Sequence, residues 1–277
     1  MMDRWVLGFT EPIQNKRSTT IFCRAIYGFV LLKVLLSWST LTELAEVYRV
    51  SRPQSVPTWI VFGPGEWAAH HMTAFLIIYV LILLLALWRP NYFTAIIIAW
   101  WWLNLYRLAF PASNGSDQVA LTLLCLAIPL SAYPVVTQPV GEMLQRCTYH
   151  TANLLAKIYV CSIYVISGVD KLRSEAWLSG EAMVRTRELT YLFNPSFEAW
   201  TPASGAGLMV ATWLTIGFEL LFPVLVWFKA TRRWILITGV AFHLIIATML
   251  SLPEFAAVMI VSYTVFLRSE DKTAQKI

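Results

Sequence analysis

Apolar stretches of roughly 18 residues, long enough to cross a bilayer as a helix, recur along nearly the whole chain. In hydrocarbon every backbone N–H and C=O must find a partner within the protein, which leaves helices and closed barrels as the spanning structures. Runs this long read as helices. Only 13% of the 277 residues are charged and 58% are hydrophobic, against ~25% charged in a soluble domain. That balance excludes a secreted disulfide scaffold, a coiled coil, a disordered protein and an ordinary soluble enzyme. The predicted fold class is all-α, a polytopic membrane helical bundle of about eight transmembrane helices.

The expected spans are Ile21 to Thr40, Ala68 to Trp88, Tyr92 to Phe110, Gln118 to Val136, Ala152 to Val169, Ala206 to Phe228, Trp234 to Leu252 and Phe255 to Leu267. The eighth is short, so seven spans plus a re-entrant segment is the alternative. Residues 1–20 and 268–277 flank this domain as cytoplasmic segments. Met1 to Thr20 is too polar to hold an apolar signal core, so the first apolar helix reads as an uncleaved anchor. The longest connections, Leu41 to Trp67 and Leu172 to Gly205, read as loops with interfacial aromatics at Trp59 to Phe62 and Tyr191 to Phe193.

The formal charge of +5 does not point to nucleic acid, because the basic residues punctuate the apolar runs rather than forming a stripe. Counting Lys and Arg by loop with the N-terminus in the cytoplasm gives eleven inside and six outside. Both termini are therefore expected in the cytoplasm of a multi-pass cell-membrane protein. Cys23, Cys125, Cys147 and Cys161 form no Cys-x-x-Cys pair, and no spacing of metal ligands or phosphate loops appears. No metal is expected, and the residues name no cofactor.

Ionisable groups inside a membrane cost ~2.5–3.5 kcal/mol on insertion scales, so each asks for a partner or a role. His70, His71, Arg107, Asp117 and Lys171 fall near the outer ends of spans two to five, as a polar pocket or as helix ends snorkelling to headgroups. Glu219 and His243 lie deeper, each ten residues from a basic border residue, or ~15 Å at 1.5 Å per residue. Equal depth on consecutive helices predicts a Glu219–His243 contact, either a buried clasp or an acid–base pair. For Lys171, His70, His71, Arg107 or Asp117 is the expected neighbour.

Tyr164-Val165-Ile166-Ser167-Gly168-Val169-Asp170-Lys171-Leu172, followed by Trp177 and Gly180, resembles the signature of the HTTM domain, the membrane domain shared with vitamin K-dependent gamma-carboxylase. Leu192-Phe193-Asn194-Pro195, Phe218-Glu219-Leu220-Leu221-Phe222-Pro223, Phe242-His243 and Arg24 resemble further parts of it. Gly115-Ser116-Asp117-Gln118 with Pro129 looks more like the bacterial SdpB branch, the sporulation-delaying protein B type. The carboxylase resemblance implies that Lys171 is the base that deprotonates a quinol; Glu219 and His243, from their depth in the membrane, are the further catalytic candidates. His70, His71, Arg107, Asp117 and Trp177 are then the binding residues. The branch resemblance implies maturation or modification of a secreted antimicrobial peptide at the outer face. The partners would be membrane lipid, a small peptide or toxin precursor, and a maturation protein, without nucleic acid. The alternatives are a non-enzymatic factor (transporter, immunity protein or scaffold) and a quinone-linked carboxylase-like enzyme.

Overall fold

A computed structural model describes residues 16–51, 65–108, 113–131, 139–189, 193–196 and 205–267. Most of the expected N-terminal segment, the aromatics Trp59 to Phe62 and the tail 268–277 lie outside these residues. Every described element is helical, and the protein is an all-α membrane bundle. Four helical segments are long and apolar enough to cross a bilayer: Arg17–Leu36, Met143–Leu172, Gly205–Leu225 and Lys229–Met249. Met72–Trp88, Gly115–Ser131 and Pro253–Phe266 are shorter and apolar.

The chain divides into two compact units, Met1–Leu155 with Leu267–Ile277, and Ala156–Phe266. In the first, α1 (Lys16–Leu36) and α2 (Trp38–Ser51) are followed by α3 (Gly65–His70), α4 (Met72–Trp88), α5 (Tyr92–Leu108) and α6 (Gly115–Ser131). Helix α1 packs on α4 and α6, and α5 packs on α6. Tyr27, Tyr79, Phe75 and Leu123 are fully enclosed there. The turn between α4 and α5 is closed by Asn91, whose Oδ1 accepts from the Thr94 N–H, as a polar residue ahead of a helix does.

Helix α7 (Pro139–Leu172) runs through the boundary of the two units. It is 34 residues long, nearly twice the expected fifth span. An apolar run marks where a helix meets hydrocarbon, but the polar residues Glu142 to His150 also suit a helix and simply continue it. The expected loop after Thr40 is likewise helical over Trp38–Ser51. In the second unit, α8 (Glu175–Leu178) and α9 (Ala182–Glu188) lead to α10 (Gly205–Leu225), α11 (Lys229–Met249), α12 (Pro253–Ser262) and a 3₁₀ turn, Tyr263–Phe266.

The short helices α8 and α9 are fastened to α10 by side chains. Thr212 Oγ1 donates to the Gly180 carbonyl at 3.1 Å and accepts from the Met183 N–H at 3.3 Å. Trp213 Nε1 donates to the Leu178 carbonyl at 3.2 Å. Gly180 turns the chain with φ +84°, a conformation costly to residues with a Cβ. These bonds fix where Trp177 stands relative to the end of α7.

Candidate functional site

Tyr164, Ser167, Gly168 and Lys171 are spaced i, i+3, i+4, i+7 on α7, so they share one helical face. Each contributes to the same region of the second unit. Lys171 Nζ donates to Ser167 Oγ at 2.7 Å and to Glu219 Oε1 at 2.9 Å, and Ser167 Oγ donates to that same oxygen at 3.0 Å. Gly168 lets α10 come close: an added Cβ would stand 2.9 Å from Leu220 Cδ2 and 3.4 Å from Glu219 Cβ. The ammonium also lies 4.8 Å from the centre of the Trp177 ring, a cation–π contact. The second carboxylate oxygen, Oε2, is 2.9 Å from Nζ as part of the ion pair, yet it is buried and has no hydrogen bond.

One heptad turn back, Tyr164 supplies a second polar station. Its Oη lies 2.6 Å from His243 Nε2 and shares a short hydrogen bond with Tyr263 Oη. Gly239 makes room for this arrangement, because a Cβ there would run into the Tyr263 ring. His243 is 1% exposed, and its Nδ1 has no partner. The expected Glu219–His243 contact is therefore not formed; Glu219 pairs with Lys171 and Ser167, and His243 with Tyr164. Depth arithmetic fixes a residue's height on its helix and leaves its direction open, and α7 supplies the partners for both.

Both stations line a cavity of about 780 Å³ whose other walls are mainly aliphatic and aromatic, among them Phe242, Ile246 and Phe255. Lys171, Ser167, Glu219 and Trp177 form part of its wall, as do Tyr164 and His243. No group of three or more His, Cys, Asp or Glu able to hold a metal occurs among the described residues.

The remaining predicted binding residues belong to the first unit. His70 and His71 are exposed, and the His71 ring sits 5.4 Å from that of Trp67. Arg107 is exposed near the end of α5. Asp117 is buried, and its Oδ1 meets Lys33 Nζ at 2.6 Å. Its Oδ2 accepts from the Asn114 N–H at 2.9 Å, while Asn114 Oδ1 accepts from the Ser116 N–H at 2.8 Å. This reciprocal pattern is a capping box at the start of α6. The carboxylate beside Lys171 is thus Glu219, while Asp117 has Lys33 for its cation. Ser167, Tyr164 and Tyr263 were not among the predicted site residues. The i, i+3, i+4, i+7 spacing of Tyr164, Ser167, Gly168 and Lys171 is the signal that points to the first two.

A model of the HTTM domain matches residues 119–270, more than half of the chain. The chain belongs to the HTTM family. The match takes in the whole second unit and so every residue of the cavity. Among curated proteins, this HTTM protein is 25% identical over 224 residues to Uncharacterized protein YitO of Bacillus subtilis (strain 168), covering 77% of this chain and 72% of that one. It is 22% identical over 277 aligned positions to Sporulation-delaying protein SdpB of the same organism, covering 94% and 84%. No solved structure matches.

Proposed function

We propose that this HTTM protein acts in maturation or modification of a secreted peptide, with Lys171, Glu219 and Ser167 as the working groups at the cavity. The observation that carries this reading is the Lys171–Glu219 ion pair at 2.9 Å, joined by Ser167 and set in the wall of a cavity of about 780 Å³. Kinship with SdpB over most of both chains supports peptide as the substrate class. The excess of Lys and Arg on one set of loops supports both termini in the cytoplasm, which puts Lys171 at the outer face of a multi-pass protein.

The quinol chemistry that the carboxylase resemblance implies needs a free amine. Here Nζ is bonded to Ser167 and Glu219 and faces Trp177, so the amine becomes free only when its proton passes to a neighbour. The acid–base element is instead the pair. A proton passing from Lys171 to Glu219 along their 2.9 Å hydrogen bond leaves a neutral amine and a carboxylic acid. The amine can then take a proton from substrate, and the acid can return one.

A second reading, a membrane factor without chemistry, is favoured by the two hydrogen bonds that tie Lys171 in place. The arginine substitution separates the two. A candidate secreted peptide precursor is expressed with the wild type or with Lys171→Arg, and the mass of the secreted product is measured. A guanidinium stays protonated, so the working pair predicts product with the wild type and none with a well-folded Lys171→Arg protein. Full product formation by Lys171→Arg ends the acid–base reading and leaves the scaffold.

A further inference from the structure

The turns that join α4 to α5 and α10 to α11 are built alike, although they belong to different units. In each, an arginine donates to the last carbonyls of the incoming helix. Arg24 Nη2 donates to the Trp88 carbonyl at 3.2 Å; Arg232 Nε and Nη2 donate to the Val226 and Trp227 carbonyls at 2.8 and 3.0 Å. Such carbonyls are the negative end of a helix dipole, so these two cations meet counter-charge inside the protein. In each turn a second arginine lies over an exposed tryptophan. Arg89 is 5.6 Å from the centre of the Trp88 ring, and Arg233 is 5.9 Å from that of Trp234. Phe93 in the first turn and Phe228 in the second are exposed as well, and Lys229 adds a further exposed cation to the second.

These outer cations have no acid to meet. No Asp or Glu occurs between Glu66 and Asp117, or between Glu219 and Glu254. Among the described residues Arg89, Lys229 and Arg233 form no ion pair, and all three are exposed. Each turn is thus a positive surface fixed to the end of an apolar helix. Such a helix ends where hydrocarbon gives way to headgroups, the depth at which tryptophan rings collect. We propose that each turn docks the headgroup phosphate of an anionic phospholipid, with Arg89 or Arg233 as the contact and the tryptophan beneath it as support.

Charge and shape select the lipid. A guanidinium meets phosphate oxygens in pairs, where an ammonium makes a point contact. A zwitterionic headgroup carries its own ammonium beside the phosphate, and neither turn contains a carboxylate to receive it. Phosphatidylglycerol therefore fits and phosphatidylcholine does not. Arg24 and Arg232 are positioning residues: they tie down the helix end against which the outer arginine is set. Loop charge that merely orients a membrane protein needs no such geometry. The proposal is independent of the cavity and of the peptide reading.

Lipid retention tests it. The full chain in detergent is titrated with phosphatidylglycerol or with phosphatidylcholine of the same acyl chains, and bound lipid is followed by native mass spectrometry. Wild type should hold the anionic lipid roughly tenfold tighter, the ratio given by about 1.4 kcal/mol. Arg89→Gln and Arg233→Gln should each weaken one site roughly fivefold, the ratio given by about 1 kcal/mol per cation near a lipid surface. Arg233→Lys, which keeps the charge and loses the paired donors, should also bind more weakly than wild type. Arg185→Gln removes an exposed arginine already paired with Glu181 at 2.7 Å and should change nothing. Equal retention of the two lipids by wild type overturns the proposal, and that arm needs no variant to fold. A loss with Arg185→Gln as large as with Arg233→Gln, or wild-type affinity in Arg233→Lys, assigns the effect to overall charge and overturns it too. So does displacement of the lipid by inorganic phosphate at matched concentration, which would assign the turns to a free anion.

Discussion

In the first unit Lys33 and Asp117 meet at 2.6 Å, and both carboxylate oxygens are satisfied, one by the lysine and one by the Asn114 N–H. In the second, Lys171 and Glu219 meet at 2.9 Å, with one oxygen lacking a hydrogen bond and a cavity alongside. Both pairs join a lysine on one helix to an acid on another, and both are largely buried. The first acid belongs to the cap of α6, where main-chain geometry defines its task. The second lies in mid-helix on α10, where no backbone group needs it. A buried pair in a membrane protein is therefore read by what surrounds its remaining lone pairs.

The comparison breaks most decisively through truncation. Asp117→Ala strands Lys33 and removes part of a cap, and should cost about 3–5 kcal/mol, seen as loss of monodisperse protein in detergent. Lys33→Met with Asp117→Leu should recover most of it, since an apolar pair of similar size replaces a buried ion pair at little cost. The matching Lys171→Met with Glu219→Leu protein should also fold, yet yield no peptide product. If both double variants are fully active, the distinction between the pairs collapses.

Smaller effects sharpen the second unit. Gly239→Ala pushes Tyr263 away from Tyr164 and should cost about 1–3 kcal/mol by overpacking, read as a lowered thermal midpoint. Gly180→Ala forces a Cβ into φ +84° and against Met209, a penalty of about 1–2 kcal/mol. Trp177→Leu removes a cation–π contact worth about 0.5–1 kcal/mol at a partly exposed site. It should leave the midpoint nearly unchanged while the Lys171–Glu219 pair persists.

The apolar runs made the fold class legible, since no soluble structure accommodates them. They placed most helices and missed the extent of α7, because a helix does not end where hydrocarbon does. Lys171, Glu219 and His243 were each legible as charges in costly positions. Their pairing was not, because height counted along a helix leaves azimuth open, and α7 supplies a different partner for each. The spacing 164, 167, 168, 171 carried that azimuth. Asp117 read as a pocket residue because a capping acid and a ligand-binding acid look alike in sequence; only Lys33 and Asn114 distinguish them.

Helix α7 carries a last consequence. Its 34 residues span ~51 Å at 1.5 Å per residue, against a hydrocarbon layer of ~30 Å. Lys171 stands next to the last residue of the helix, which is about 20 Å longer than a hydrocarbon layer needs. A rod cannot turn at one end alone. Anything that grips the Pro139 end and twists it by one residue's 100° would swing Tyr164, Ser167 and Lys171 together out of register with α10 and α11. The stripe that assembles the site is also a shaft.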